Sequence, residues 1–242
     1  MIGDFTKGIR YLLGGFRLVT QPGLRPFVLI PLIINILLFS SAIWYGISVF
    51  ESYMESLLPD WLAWLEWLLW PLFALAIMIV VFYCFTLIAN LIAAPFNGLL
   101  AEKVQLKYSD VSIPESNWND VLKSIVPSMI VEIRKLVYFI LWSVPFLILF
   151  FIPVINIAAP FLWMAFSAWM LSLEYTDFCA NNNRTFFPQL REQFKTRRLL
   201  ALGFGGAALL CTMIPIVNFV VIPVAVTGAT QLWLNELKNN QA

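Results

Sequence analysis

The sequence predicts an all-α integral membrane protein with two long transmembrane helices, two short, partly penetrating helical hairpins and interfacial amphipathic helices. Hydrophobic residues make up 61% of the chain and the mean hydropathy is +0.83, whereas soluble domains are about 45–50% apolar. Several uncharged runs are long enough to enter or cross a bilayer. An Ile-Pro-Val-Ile-Asn motif at 152–156 is repeated as Ile-Pro-Ile-Val-Asn at 214–218, each midway in such a run.

The side-chain inventory excludes several functions. The chain has no histidine, which removes Ser-His and Cys-His catalysis and histidine metal sites. Cys84, Cys179 and Cys211 are scattered without paired spacing, which argues against a disulfide framework or a zinc site. We expect no enzymatic activity, no metal and no cofactor, and nucleic acid is not among the expected partners.

Residues 1–20 form the first predicted element. One face of a helix over this segment carries the apolar side chains, and the charged residues lie elsewhere. The apolar residues are Phe5, Ile9, Leu12, Leu13 and Phe16. This pattern predicts an amphipathic helix lying on the membrane surface. The segment lacks the apolar core and cleavage site of a signal peptide, so we expect none to be removed. The Gln-Pro-Gly sequence at 21–23 ends the helix.

Two long transmembrane helices are predicted at 26–50 and 67–101. The first run is long enough to span the hydrocarbon. Residues 51–66 between them carry four acidic residues, no Lys or Arg, and the start of a tryptophan cluster, which predicts an outer loop and a cytoplasmic N-terminus. At 1.5 Å per residue the second run would reach about 50 Å, more than the hydrocarbon core. We therefore expect it to tilt, break or continue out of the membrane, with a change of character at 90–98.

The rest of the sequence predicts an amphipathic helix at 118–135 and two hairpins at 136–173 and 199–235. We expect residues 1–242 to form a single membrane domain. Each hairpin arm has about 16–17 residues, at the short end of the spanning range. Either the hairpins span, which gives six crossings, or they enter and return, which gives two crossings and two re-entrant hairpins. Both alternatives keep the termini cytoplasmic. We favour re-entrant hairpins, whose turns need protein or an aqueous cavity around their backbone.

Three stretches carry a resemblance to a known family: Gly-Leu-Arg-Pro-Phe-Val at 23–28, Ala-Pro-Phe-Asn-Gly-Leu-Leu-Ala-Glu-Lys-Val at 94–104, and Leu-Glu-Tyr at 173–175. With the charge layout and both hairpins, the chain resembles the CysZ family of bacterial inner-membrane sulfate transporters over essentially its whole length. The resemblance implies two long spanning helices, two partly penetrating hairpins, a dimer as the basic unit, and sulfate import for cysteine synthesis. A second basic residue often follows the arginine in that family, and here the position is Pro26.

Gly23, Leu24 and Arg25 are the candidate sulfate-binding residues. A helix N-terminus offers free N–H groups and a positive dipole end, and glycine lets an anion approach the backbone. Arginine adds directed, charge-assisted donors. The alternative for Arg25 is contact with a lipid phosphate, and the resemblance favours the sulfate site.

Asn35, Asn90, Asn97 and Glu102 are the candidate residues of a permeation path. Neutral amides line an anion path without trapping the ion, and a carboxylate near its inner mouth could take part in gating or proton coupling. The alternatives are hydrogen bonds between helices for the amides and an interfacial salt bridge for Glu102. Asn156 and Asn218 are better explained as turn residues.

These observations lead to one functional hypothesis and one alternative. The hypothesis is sulfate uptake across the bacterial cytoplasmic membrane, channel-like or ion-coupled. Because the small-residue run at 203–208 lacks the strand and Lys-Ser/Thr of a nucleotide loop, we expect it to be a packing face and transport not to be driven by ATP. Expected partners are sulfate, membrane lipid and further copies of the chain, as a homodimer or higher oligomer. The alternative is a membrane scaffold or assembly protein without transport activity.

Overall fold

The computed structural model describes residues 2–57, 66–80, 86–109 and 118–238, and the regular elements in those ranges are helices. The all-helical prediction is therefore confirmed for the described chain. Nine α-helices lie in these ranges: α1 (Ile2–Val19), α2 (Arg25–Leu57), α3 (Glu66–Val80), α4 (Thr86–Tyr108), α5 (Trp118–Leu149), α6 (Ala159–Asn182), α7 (Phe187–Thr196), α8 (Arg198–Thr212) and α9 (Pro215–Leu232).

Two of the described helices are long and apolar enough to cross a membrane. One is Arg25–Phe50 within α2, at the predicted position of the first transmembrane helix. The other is Ile216–Leu237, formed by α9 and the π-helical turn after it, and more than half of it is buried inside the protein. The predicted long helix at 67–101 corresponds to α3 and α4, with 81–85 outside the described residues. Helix α4 continues past residue 101 to Tyr108.

The chain divides into two compact units. The smaller one, Leu29–Ala93, contains most of α2, α3 and the start of α4. In it the Phe50 ring stacks on Phe73 at 3.5 Å between centroids, and Trp70 meets Phe50 edge-on at 4.7 Å. Many other large apolar side chains of this unit are exposed, among them Leu37, Trp44 and Trp67. Helices that are apolar all round belong in a protein core or a membrane.

The larger unit, Met1–Val28 with Ala94–Ala242, has a core where α1, α6, α8 and α9 pack together. Glycines allow the close approach: a Cβ added at Gly203 would collide with the Phe5 carbonyl of α1, and one at Gly205 with the Ala168 carbonyl of α6. Gly206 faces open space. The predicted packing face at 203–208 therefore makes contacts within the chain at two of its glycines.

Helix α1 lies in the stretch predicted to be an N-terminal amphipathic helix, and its apolar face is only partly buried. Leu12 is fully buried, while Phe5 and Leu13 are exposed. The reason is that α8 and α9 contact the side of α1 that carries Gly8 and Gly15, which have no side chain to keep them apart. The location of α1 at a membrane surface stays a prediction.

The helices around the first hairpin are longer than the predicted arms. Helix α5 joins the predicted amphipathic helix at 118–135 to the first arm without a break, and α6 continues nine residues beyond Leu173, to Asn182. The extensions are tied by a buried ion pair between Lys135 Nζ and Asp177 Oδ2 at 3.3 Å. Lys135 and Asp177 neutralise each other inside the protein, so α5 and α6 continue past the ends of the apolar arms.

The two Pro–Asn motifs form turns of different shape. In the first hairpin the turn contains a short 3-10 segment, Ile155–Ile157, and Val154 has a positive φ of 72°. In the second, Pro215 begins α9, so Asn218 lies in the first helical turn instead of the predicted tight turn. The two turns share one contact. The backbone N–H of the Asn donates to the carbonyl of the motif's first Ile, at 3.0 Å for Asn156 and 2.9 Å for Asn218.

Candidate functional site

The candidate anion site lies in the short connection between α1 and α2. The amide of Gln21 donates to Leu18 O at 3.0 Å, and the amide of Leu24 donates to Gln21 O at 3.2 Å. Between them Gly23 has a φ of 90°, a conformation that glycine adopts without steric cost. The Gln-Pro-Gly break predicted from the sequence is therefore a compact turn with its own hydrogen bonds.

The three predicted sulfate-binding residues differ in their surroundings. The side chain of Leu24 is 3% exposed and belongs to the core of the larger unit, whereas Gly23 and Arg25 are exposed. Nothing lies within 4 Å of a Cβ added at Gly23. Leu24 thus anchors the turn in the protein, and its two neighbours face outward.

Arg25 is the first residue of α2, and its side chain folds back over the turn. Its Nε donates to Thr20 O at 2.8 Å, which uses one of the five N–H donors of the guanidinium. In the described part of the chain, no recorded hydrogen bond is donated by the backbone amides of Gly23 or Arg25. Pro22 and Pro26 have no N–H, so those two amides are the backbone donors left at the turn.

The end of α4 contacts the same turn. Lys107 Nζ donates to Gln21 Oε1 at 2.7 Å, and Gln21 Nε2 donates to the Tyr108 hydroxyl at 3.1 Å. The sequence analysis did not single out Gln21 or Lys107 as site residues, because their contact joins segments more than eighty residues apart in the chain. The signal available in the sequence was the basic residue in the last turn of a helix, a favourable position for a cation.

The structure describes the side chains of two of the four predicted path residues. Asn97 and Glu102 lie on α4 and are each 6% exposed. The side chains of Asn35 and Asn90 lie outside the described part of the structure. The structure thus places Asn97 and Glu102 inside the larger unit.

Polar groups join this stretch of α4 to the end of α6. Asn182 Nδ2 donates to Gly98 O at 2.8 Å. Gln105, which is fully buried, and Asn183 exchange two amide hydrogen bonds, each of 2.8 Å. A buried amide pair satisfies its own donors and acceptors, so it fixes the position of α4 against α6. These residues were not singled out from the sequence.

A second polar cluster joins α1, the start of α8 and the chain's last helical turn. Arg197 donates to Asp4 Oδ1 at 2.6 Å and to Glu236 Oε2 at 2.7 Å. Lys7 and the Tyr11 hydroxyl also reach Glu236, at 3.3 and 3.1 Å. The guanidinium of Arg197 lowers the pKa of the Asp4 carboxyl from its usual value. Glu236 therefore serves in a structural ion-pair network, with partners that the sequence did not indicate.

Comparison with known proteins links the whole chain to one family. The family model described as "Sulfate transporter CysZ/Etoposide-induced protein 2.4" matches residues 11–223. A sulfate transporter CysZ of Pectobacterium atrosepticum is 39% identical over 99% of this chain and 89% of that protein. Proteins of the same name from Pseudomonas paraeruginosa and Pseudomonas aeruginosa are each 40% identical over 95% of both chains.

Proposed function

The chain belongs to the sulfate transporter CysZ/etoposide-induced protein 2.4 family, and on that premise we propose that it takes up sulfate across the bacterial cytoplasmic membrane. The observation that carries the proposal is the identity of about 40% over nearly the full length to relatives named as sulfate transporters. A sulfate supply of this kind serves cysteine synthesis. A transporter also fits a chain whose described helices include two long and apolar enough to cross a membrane.

The first binding site in this proposal is the turn of Gly23, Leu24 and Arg25. Three features support it: the exposed guanidinium, the open space at Gly23 and the two backbone amides without an acceptor. Sulfate is a divalent anion with four oxygen acceptors, and charge-assisted hydrogen bonds from arginine and backbone amides are the donors that bind such oxyanions. Leu24 contributes by holding the turn in the core.

From this turn the anion follows a path lined by Asn35, Asn90, Asn97 and Glu102. Amide side chains offer donors without a fixed positive charge, which lets an anion bind and leave. The sequence has no nucleotide-binding loop, so movement is channel-like or coupled to an ion, and consumption of sulfate inside the cell keeps the gradient inward.

The proposed arrangement in the membrane has two full crossings, two re-entrant hairpins and cytoplasmic termini. The exposed surface of the hairpin tips also supports assembly of the chain into a homodimer or higher oligomer. Val154 is 81% and Ile216 84% exposed, and both are flanked by other exposed apolar side chains. Apolar surface of this extent is stable only against lipid or protein, and the irregular backbone of a turn at membrane depth needs protein or water beside it.

A flux measurement tests the function directly. The purified full chain is reconstituted into liposomes, and uptake of radioactive sulfate down a gradient is compared with uptake by empty liposomes and by liposomes holding an unrelated membrane protein. We expect sulfate uptake well above both controls, reduced by unlabelled sulfate and little affected by chloride. Uptake equal to that of empty liposomes, from protein that remains folded, would contradict transport and favour the scaffold alternative.

A further inference from the structure

We propose that Lys107 of α4 is the second cation of the anion site at Gly23 and Arg25, and that Gln21 is the positioning residue that holds it there. The inference rests on the proposed function, because it names a further binding residue for the same anion. It concerns a residue more than eighty positions away in the sequence, which the fold brings to the turn.

Two hydrogen bonds place both cations on one turn. Arg25 Nε lies 2.8 Å from Thr20 O, and Lys107 Nζ lies 2.7 Å from Gln21 Oε1. Thr20 and Gln21 are consecutive residues, so the guanidinium comes from the start of α2 and the ammonium from the end of α4 to neighbouring points of the same connection. Arg25 and Lys107 are both exposed, which leaves them accessible to an ion from solution.

The charges of these two side chains are not neutralised within the described structure. Each is held by a neutral oxygen, a backbone carbonyl for Arg25 and a carboxamide for Lys107, and no ion pair is recorded for either among the described residues. Three other cations of the same unit are paired: Arg197 with Asp4 and Glu236, Lys135 with Asp177, and Lys195 with Glu192. Two uncompensated cations on one turn match the two negative charges of sulfate.

Gln21 is suited to orient Lys107 without cancelling its charge. The Tyr108 hydroxyl lies 3.1 Å from its Nε2 and 3.3 Å from its Oε1, and Oε1 accepts a shorter bond of 2.7 Å from the Lys107 ammonium group. An ammonium has three N–H donors, and the bond to Gln21 uses one of them. The others, together with the Arg25 guanidinium and the amides of Gly23 and Arg25, form a donor set for a tetrahedral oxyanion.

The competing explanation is that Lys107 only stabilises the C-terminal end of α4, where a cation interacts favourably with the helix dipole. The two explanations differ in charge selectivity. A helix-stabilising lysine affects all anions equally through folding, whereas a second cation at the site favours a divalent anion over a monovalent one.

The test measures binding of inorganic sulfate, and of nitrate as a monovalent anion, to the purified full chain in detergent. We expect Lys107→Met to weaken sulfate binding about tenfold, the equivalent of one lost charge-assisted hydrogen bond, and to change nitrate binding by less than about threefold. Lys107→Arg should restore most of the sulfate affinity. Gln21→Glu should weaken sulfate binding too, because the new carboxylate neutralises Lys107. The matched control is Lys195→Met, at an exposed lysine already paired with Glu192, and should bind sulfate as the unsubstituted chain does.

Each other outcome overturns the inference. Lys107→Met with unchanged sulfate affinity, beside an Arg25→Ala variant that has lost it, would exclude Lys107 while leaving the proposed function intact. A loss in Lys107→Met that is equal for nitrate, or that Lys107→Arg does not restore, would assign Lys107 to helix stability. Absence of sulfate binding by the unsubstituted chain would contradict the proposed function and this inference with it.

Discussion

Arg25 illustrates how far a single residue can be interpreted from the sequence. Its place after Gly-Leu and before Pro26 predicts the start of a helix, and α2 does begin at Arg25. The hydrogen bond of its Nε to Thr20 O, and the arrival of Lys107 at the next residue, depend on chain that is remote or follows a turn. The local motif therefore predicts one cation of the proposed site, and the tertiary contacts bring Lys107 to the same turn.

The prediction for Arg25 is loss of sulfate binding without loss of the fold. Arg25→Ala removes exposed donors and a positive charge, so sulfate affinity should fall at least about tenfold while the melting temperature stays within a few degrees of that of the unsubstituted chain. Binding to purified protein in detergent measures the first quantity and thermal unfolding the second. Arg198→Ala is the matched control, since Arg198 is also exposed and its Nε also bonds one backbone carbonyl, that of Lys195. Unchanged sulfate affinity in Arg25→Ala would remove Arg25 from the site.

A second prediction at this scale concerns Asp4 and pH. The Arg197 guanidinium lowers the pKa of Asp4 below its usual 3.8. A carboxyl whose pKa is lower in the folded state stabilises the fold above the unfolded pKa, and that stabilisation is lost as the pH falls through the folded pKa. Asp4→Asn should therefore cost about 1 kcal/mol near neutral pH, as expected for a partly exposed pair, and progressively less below about pH 4.

Thermal unfolding of both chains between about pH 3 and pH 7 measures this difference. Glu192→Gln is the comparison, because it removes a much more exposed ion pair with Lys195 and should change the melting temperature less. A difference between the unsubstituted chain and Asp4→Asn that is the same at every pH would show that the Asp4 charge does not contribute through Arg197.

At the scale of elements, helix α8 shows what glycine spacing does and does not reveal. The run at 203–208 predicts close packing, but the identity of the packed neighbours is decided by the fold: α1 at Gly203 and α6 at Gly205. Helix lengths, too, are only partly predicted by the sequence pattern. Charged residues near 135 and 174 suggested helix ends, and both helices continue because Lys135 and Asp177 form a buried pair. A sequence pattern does not indicate which distant charge will neutralise a given residue.

The glycine contacts predict opposite effects at neighbouring positions. Gly205→Ala places a methyl group against the Ala168 carbonyl and 2.6 Å from Ser172 Oγ, so it should lower the free energy of unfolding by about 1–3 kcal/mol. Gly206→Ala faces open space and should be neutral or stabilising by up to about 1 kcal/mol, since alanine favours the helix. Thermal unfolding of the two variants in the same detergent compares them, and equal melting temperatures would contradict the close approach of α8 to α6.

At the scale of the whole molecule, the open question is how many times the chain crosses the membrane. Charge placement predicts cytoplasmic termini for two crossings as well as for six. The exposed apolar tips at Val154 and Ile216 fit lipid or a second copy of the chain, so the depth of the hairpins decides the topology.

Cysteine labelling in intact cells measures that depth. In a chain whose three native cysteines are replaced, a cysteine at Val154 or Ile216 should react poorly with a membrane-impermeant reagent added from outside, because re-entrant hairpins do not reach the outer water. A cysteine at Asp60, in the segment predicted to be the outer loop, is the positive control. Ready labelling at both tips would establish six crossings and contradict the re-entrant hairpins.

The sequence by itself determined the all-helical fold class and the first of the two candidate membrane-spanning helices, because hydrophobic run length and charge placement act locally. It also contained the resemblance on which the function rests. Only the tertiary structure decided that α5 and α6 extend beyond the apolar arms, that α1 packs into the core, and that Lys107 meets Gln21 beside Arg25. Those outcomes depend on ion pairs, amide pairs and glycine contacts between segments far apart in the chain, and such pairings have no local pattern in the sequence.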